Sequence, residues 1–143
     1  HAAGVREAVV KALETAIYSA LSTDTTLTAK VPGGVYNTVA PNAPAAPYLV
    51  FTLVASTPAY SIGAKVYEDY RYQFSVHARA STPVAIVEAV DALGALLDRK
   101  TLTVTGGTFW VCEKVSDNPR LAAGVDGTLW VSGGADFRFI MGA

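Results

Sequence analysis

Between residues 69 and 79 the chain alternates without a break. Tyr70, Tyr72, Phe74, Val76 and Ala78 occupy one parity, and Asp69, Arg71, Gln73, Ser75, His77 and Arg79 the other. Successive side chains of a strand point to opposite faces, so the pattern predicts a long strand over Val66–Ala80 with one apolar and one polar face. On a helix the same residues would scatter around the axis. A strand patterned this way belongs in an antiparallel sheet packed on one side and open on the other.

The rest of the chain is built around that strand. The run YLVFTLVA at 48–55 is continuously apolar, β-branched and aromatic, and predicts a second strand. With a polar connection over Ser56–Lys65 the two strands make a long β-hairpin. Val5, Val9, Leu13, Ile17, Ala20 and Leu21 recur at helical spacing, with Arg6, Glu7, Lys11 and Glu14 mostly off the stripe. Those charges also exclude a signal or membrane-spanning reading of the segment. The polar run 22–26 ends this helix or starts a further short turn. Pro32-Gly33-Gly34 marks a turn. Pro41, Pro44 and Pro47 follow, three residues apart. No basic residue flanks them, so they are expected to form a stiff connector and not a ligand for a proline-binding module.

A second helix is expected after Thr82-Pro83, an N-cap with a first-turn proline, on the stripe Ile86, Val90, Leu93 and Leu97. Arg99 and Lys100 stand at its C-terminus, where the helix dipole favours cations. Beyond it the pattern gives a strand at 109–115, a loop at 117–127, a strand at 128–132, a Gly133-Gly134 turn and a strand at 135–141. The whole is a one-domain α+β chain of 143 residues. Its sheet is mostly antiparallel, has a long β-hairpin, and is covered by two main α-helices.

Chemistry is hard to find. His1 is terminal, and His77 lies on the polar strand face with no nucleophile signature beside it. Glu68 and Asp69 are neighbours on a strand, so they point apart and form no carboxylate dyad. None of the glycine pairs continues into a phosphate-binding motif. Metal-ligand spacings are missing, and the lone Cys112 sits among apolar residues as an inert thiol. No catalytic, cofactor-binding or metal site is expected.

Composition sharpens this. Charged residues are 16% of the chain against roughly 25% in typical domains, while hydrophobic residues reach 51% and the net charge is −1. A polybasic nucleic-acid or membrane patch is excluded as the dominant feature. Such a surface is expected to be covered by something else.

The order of features resembles the tail-terminator, or tail-completion, family of long-tailed phages and phage-like gene transfer agents. The resemblance is carried by AIYSALSTDTTLTAKV at 16–31, GGVYNTVAPNAPAAPYLVF at 33–51, YEDYRYQFSVHARAST at 67–82, DALGALLD at 91–98 and GGADFRFIM at 133–141. It implies a structural protein and not an enzyme, one that forms a homo-hexameric ring ending the tail tube. The implied partners are other copies of the chain, the tail tube protein, and a head-completion, stopper or connector protein. DNA would pass through the lumen without sequence-specific binding, and no membrane is involved. The implied location is the tail or neck of a virion or phage-like particle, assembled in the host cytoplasm. In such a ring Asp69, Arg71, Gln73, His77 and Arg79 on the polar strand face, with Tyr60 and Ile62 at the hairpin tip, are the expected interface residues. The alternatives are a neighbouring head–tail connector or minor tail protein and, from another class, a small ligand-binding or enzymatic domain.

Overall fold

The alternating segment is the middle of the sheet. A computed structural model describes residues 2–40, 47–79, 83–125 and 127–142, with the side chains of 2–6, 123, 125 and 128 outside that description. Its strands are β1 (Val35–Asn37), β2 (Tyr48–Ser61), β3 (Ala64–Arg79), β4 (Thr108–Val125) and β5 (Thr128–Gly142), paired in the order β1-β2-β3-β5-β4. The short β1 runs parallel to β2, and every other pair is antiparallel. The helices are α1 (Ala2–Thr23), α2 (Thr25–Lys30) and α3 (Val84–Leu97). The expected α+β class, hairpin and two long helices are all present, with the small α2 in addition.

The apolar parity of β3 is the core. Tyr70, Tyr72, Phe74, Val76 and Ala78 are all buried, against Leu49 and Phe51 of β2 and Ala135, Phe137, Phe139 and Met141 of β5. Phe74 is the hub, with its ring centroid 6.0 Å from Phe51, 5.4 Å from Phe137 and 6.1 Å from Phe139. Leu13, Ile17 and Leu21 of α1 and Ile86, Ala89, Leu93 and Leu97 of α3 close this face from above. Each fully buried Phe or Leu contributes roughly 1.5–3 kcal/mol of transfer free energy, so this ring cluster outweighs any surface term.

Local signals explain the helix boundaries. Asp24 ends α1 and caps α2, its Oδ2 accepting from the Leu27 N–H at 2.9 Å. Pro83 stands just before α3 and makes no side-chain cap, while the Thr82 expected as N-cap lies outside the described residues, as do Pro41 and Pro44. Past the end of α3, Arg99 adopts φ 58°, and its N–H donates to the Cys112 carbonyl at 2.7 Å, pinning the connection against β4.

Three expectations need correction. The polar connection at 56–65 is not a loop, because the β2–β3 ladder continues through Pro58↔Glu68 to Ser61↔Ala64 and leaves only Ile62-Gly63 to turn. Backbone pairing needs no apolar pattern where both faces are wet, and Gly63 supplies the left-handed φ of +79°. The 117–127 segment is likewise strand, paired from Asp117↔Ala135 to Val125↔Thr128. Finally, Gly133 and Gly134 do not turn the chain. They sit inside β5, where an ideal Cβ on Gly134 would lie 1.7 Å from the Phe74 carbonyl oxygen. Glycine is there for close approach between strands.

Candidate assembly interface

The second face of the sheet is left open by all three helices. β3 presents Tyr67, Asp69, Arg71, Gln73, Ser75, His77 and Arg79 on it, and β5 presents Trp130, Ser132, Asp136, Arg138 and Ile140 opposite them. The alternation that places Phe74 in the core therefore collects the chain's polar residues on a contiguous outer surface. Five of the expected interface residues, Asp69, Arg71, Gln73, His77 and Arg79, lie together here. Tyr60 and Ile62 do not, since they stand at the far end of the β2–β3 hairpin.

At the centre is a charge network. Arg138 donates from Nε and Nη2 to Glu113 Oε1 of β4, at 3.1 and 2.7 Å, and its Nη1 lies 3.6 Å from Asp69 Oδ2. The hydrogen bond to Glu113, with the charges of Glu113 and Asp69, holds the Arg138 guanidinium above its ordinary pKa against the cost of desolvation. Arg71 stands directly across the ladder from Arg138. Like charges in that relation repel. Glu113 and Asp69 neutralise Arg138, whereas Arg71 makes no ion pair with any described residue. Asp69 Oδ1 is buried and accepts no hydrogen bond from the described residues. Beside it, Asn118 Nδ2 donates to Asp136 Oδ1 at 3.0 Å.

Aromatic clusters flank the charges. At one end Tyr67 packs on Trp110 with centroids 5.4 Å apart, and Trp110 remains 47% exposed. At the other end His77 stacks on Tyr48 at 4.9 Å, Trp130 meets Tyr48 edge-on at 5.9 Å, and the Arg79 guanidinium lies 5.8 Å from the Trp130 ring. Burial among these rings lowers the His77 pKa, so the imidazole stays neutral at physiological pH.

Tyr48, Tyr67, Glu113, Asp136 and Arg138 were not among the expected interface residues. The parity of Asp136 and Arg138 against Phe137 and Phe139 is visible in the sequence, but their pairing with β3 is not. Glu113 joins the network only through the β4–β5 register.

Elsewhere the chemistry is quiet. Burial, and after it the charges of Asp98 and Glu113, push the Cys112 thiol far above its usual range, so it stays protonated. The described residues include no group of three or more His, Cys, Asp or Glu placed to hold a metal ion, and no helix among them is long and apolar enough to cross a membrane.

Comparison with known proteins finds the same fold in solved chains. A chain solved in the virion of a native gene transfer agent particle shares the fold with a TM-score of 0.75 and 21% identity, over 94% of this chain and 98% of that one. A second solved chain superposes more loosely, with a TM-score of 0.55 and 16% identity over 90% of this chain and 94% of its own. None of the curated proteins matches. The family model for tail completion protein gp17 matches from residue 15 to residue 122, from the middle of α1 to near the end of β4. That is well over half of the sequence, and the chain belongs to the tail completion protein gp17 family.

Proposed function

We propose that this chain is a structural tail protein of a phage or gene transfer agent, and that it works by assembling into a six-fold ring that ends the tail tube and joins it to head-completion or connector proteins. Family membership supports the tail role. The observation that carries the assembly role is the open sheet face, where Trp, Tyr and Arg side chains surround a charge network with an uncompensated cation. Those three residue types dominate the energetics of protein interfaces. In a ring, Arg71 finds a carboxylate on the adjoining copy, and the charge pattern fixes register more than affinity. DNA passes through the lumen without being gripped, as a net charge of −1 permits.

The test is Arg71→Glu, with Arg79→Glu beside it, in size-exclusion chromatography with light scattering and negative-stain imaging. Each variant should keep the wild-type circular dichroism and lose the ring. Normal rings from both would remove this face from the assembly. Wild-type protein that stays monomeric and never caps tail tubes would overturn the proposal as a whole.

A further inference from the structure

The β2–β3 hairpin outruns its sheet. Pairing with β5 stops at Tyr67↔Gly142, and beyond it Tyr60–Val66 continues as a two-stranded ribbon with no third strand among the described residues. Ribbons of that kind are marginal in water. This one also exposes Tyr60 (70%) and Ile62 (105%), a larger apolar display than a free tip needs. Its charge is of one sign: from Val54 to Val66 the only charged side chain is Lys65, which leans on Glu68 at 3.2 Å yet stays 39% exposed.

A matching surface lies elsewhere on the same chain. Between α1 and the start of β2 is a cleft of about 540 Å³, lined by Val10, Tyr18 and Phe51 together with Glu7, Lys11 and Glu14. Among the described residues two carboxylates stand there against one ammonium, and Glu14 is held there by the Tyr72 hydroxyl (2.9 Å) and the Asn37 amide (2.7 Å). The volume is that of a site for one large side chain and its neighbours. The hairpin tip is eleven residues beyond Phe51 along an extended strand, roughly 35 Å away, so it cannot turn back into its own cleft.

We infer that the tip of one copy, led by Tyr60 and Ile62 with Lys65 behind them, docks in the α1–β2 cleft of the next copy. The inference rests on the ring-forming function proposed above and names the joint that makes the ring. Tip and cleft are different surfaces, so the contact is head-to-tail. Such contacts close into a ring when the rotation permits.

Head-to-tail joints have a signature in mixtures. Ile62→Asp spoils the tip at a fully exposed residue, and Thr15→Arg obstructs the cleft at an exposed position of α1 with bulk and like charge toward Lys65. Each variant alone should be monomeric with wild-type circular dichroism. Mixed one to one, they should give a dimer and nothing larger, because each pair retains one good tip and one good cleft. A chain carrying Ile62→Cys and Thr15→Cys should give a disulfide-linked ladder on oxidation that neither single variant gives, since Cys112 is fully buried. Wild-type rings with both charged variants also forming rings, or a mixture that stays monomeric, would overturn the inference and leave the ring standing. A monomeric wild type would overturn both.

Discussion

Gly134 is where the sheet can be tested most sharply. Substituting alanine there places a Cβ 1.7 Å from the Phe74 carbonyl oxygen, 2.8 Å from the Phe74 carbonyl carbon and 3.1 Å from the Ser75 Cα. All three are backbone atoms of β3, so no rotamer change relieves the overlap. Ordinary non-bonded contacts sit near 3.5 Å, and β3 and β5 must therefore part by about 1.8 Å (3.5 − 1.7) in the middle of the sheet. Parting them weakens about two ladder hydrogen bonds at about 1 kcal/mol each. It also disturbs the Phe74–Phe137 contact directly beneath, at an overpacking cost of about 1–3 kcal/mol. Gly134→Ala should thus lose about 3–5 kcal/mol, which for a chain of this size lowers the melting temperature by roughly 10–20 °C. Two controls set the scale. A Cβ on Gly133 meets the Ile86 Cγ2 at 3.0 Å and the Arg120 Cγ at 3.4 Å, side-chain atoms that can yield, so Gly133→Ala should cost about 1 kcal/mol. Gly94, in α3, has nothing within 4 Å of its ideal Cβ, and Gly94→Ala should gain about 0.5–1 kcal/mol from helix propensity. Thermal and urea unfolding followed by circular dichroism would read all three. If Gly134→Ala melts with Gly133→Ala, close strand approach is not why β5 carries glycine there.

Other consequences follow from single contacts. Tyr72→Phe removes the hydroxyl that donates to Glu14 from a fully buried ring, and urea unfolding should register a loss of about 1–2 kcal/mol with no change in secondary structure. Asp24→Ala strips the cap from α2 and should cost about 1 kcal/mol, while Asp24→Asn should cost far less. The His77 pKa is lower folded than the 6.5 of the free side chain, so below that value the unfolded chain takes up a proton that the folded one resists. Wild-type stability should therefore fall as pH drops through 6.5 toward the folded pKa and then level off, with a shallower fall in His77→Gln. Equal slopes for the two proteins in urea melts between about pH 8 and about pH 5 would show that His77 is not desolvated.

How much of this was legible in the sequence depends on what each residue contacts. The β3 parity was legible because burial is decided residue by residue there: Tyr72 is buried and Gln73 is not, so hydrophobicity reports the face. The helices were legible for the same reason, Leu13, Ile17 and Leu21 being buried at helical spacing. The extent of the hairpins was not. Between Ser56 and Lys65, and again between Asp117 and Val125, no apolar parity survives, because strand pairing and not apolar burial holds these residues in the ladder. Backbone groups are the same in every residue but proline, and a pattern made by them leaves little trace in side-chain chemistry. Gly133-Gly134 misleads in the opposite direction, since the missing side chain that suits a turn also suits a strand pressed against its neighbour's carbonyl.

The open face shows where reading by strand stops. Each of its charges was visible on its own strand, but their meaning is relational. Arg138 is neutralised because Glu113 lies across one ladder and Asp69 diagonally across the other. Arg71 is left over because the same register sets it against Arg138. Had β5 slipped against β3 by the two residues that set Arg71 opposite Asp136, the uncompensated charge would disappear, with every side chain still on its proper face. Parity is therefore a weak constraint on electrostatics, while register is a strong one. In this chain the glycine at 134 helps to hold that register, since β5 can lie this close to the Phe74 carbonyl only where it has no Cβ. The residue that looks most like punctuation thus helps to decide which arginine is left without an ion pair among the described residues.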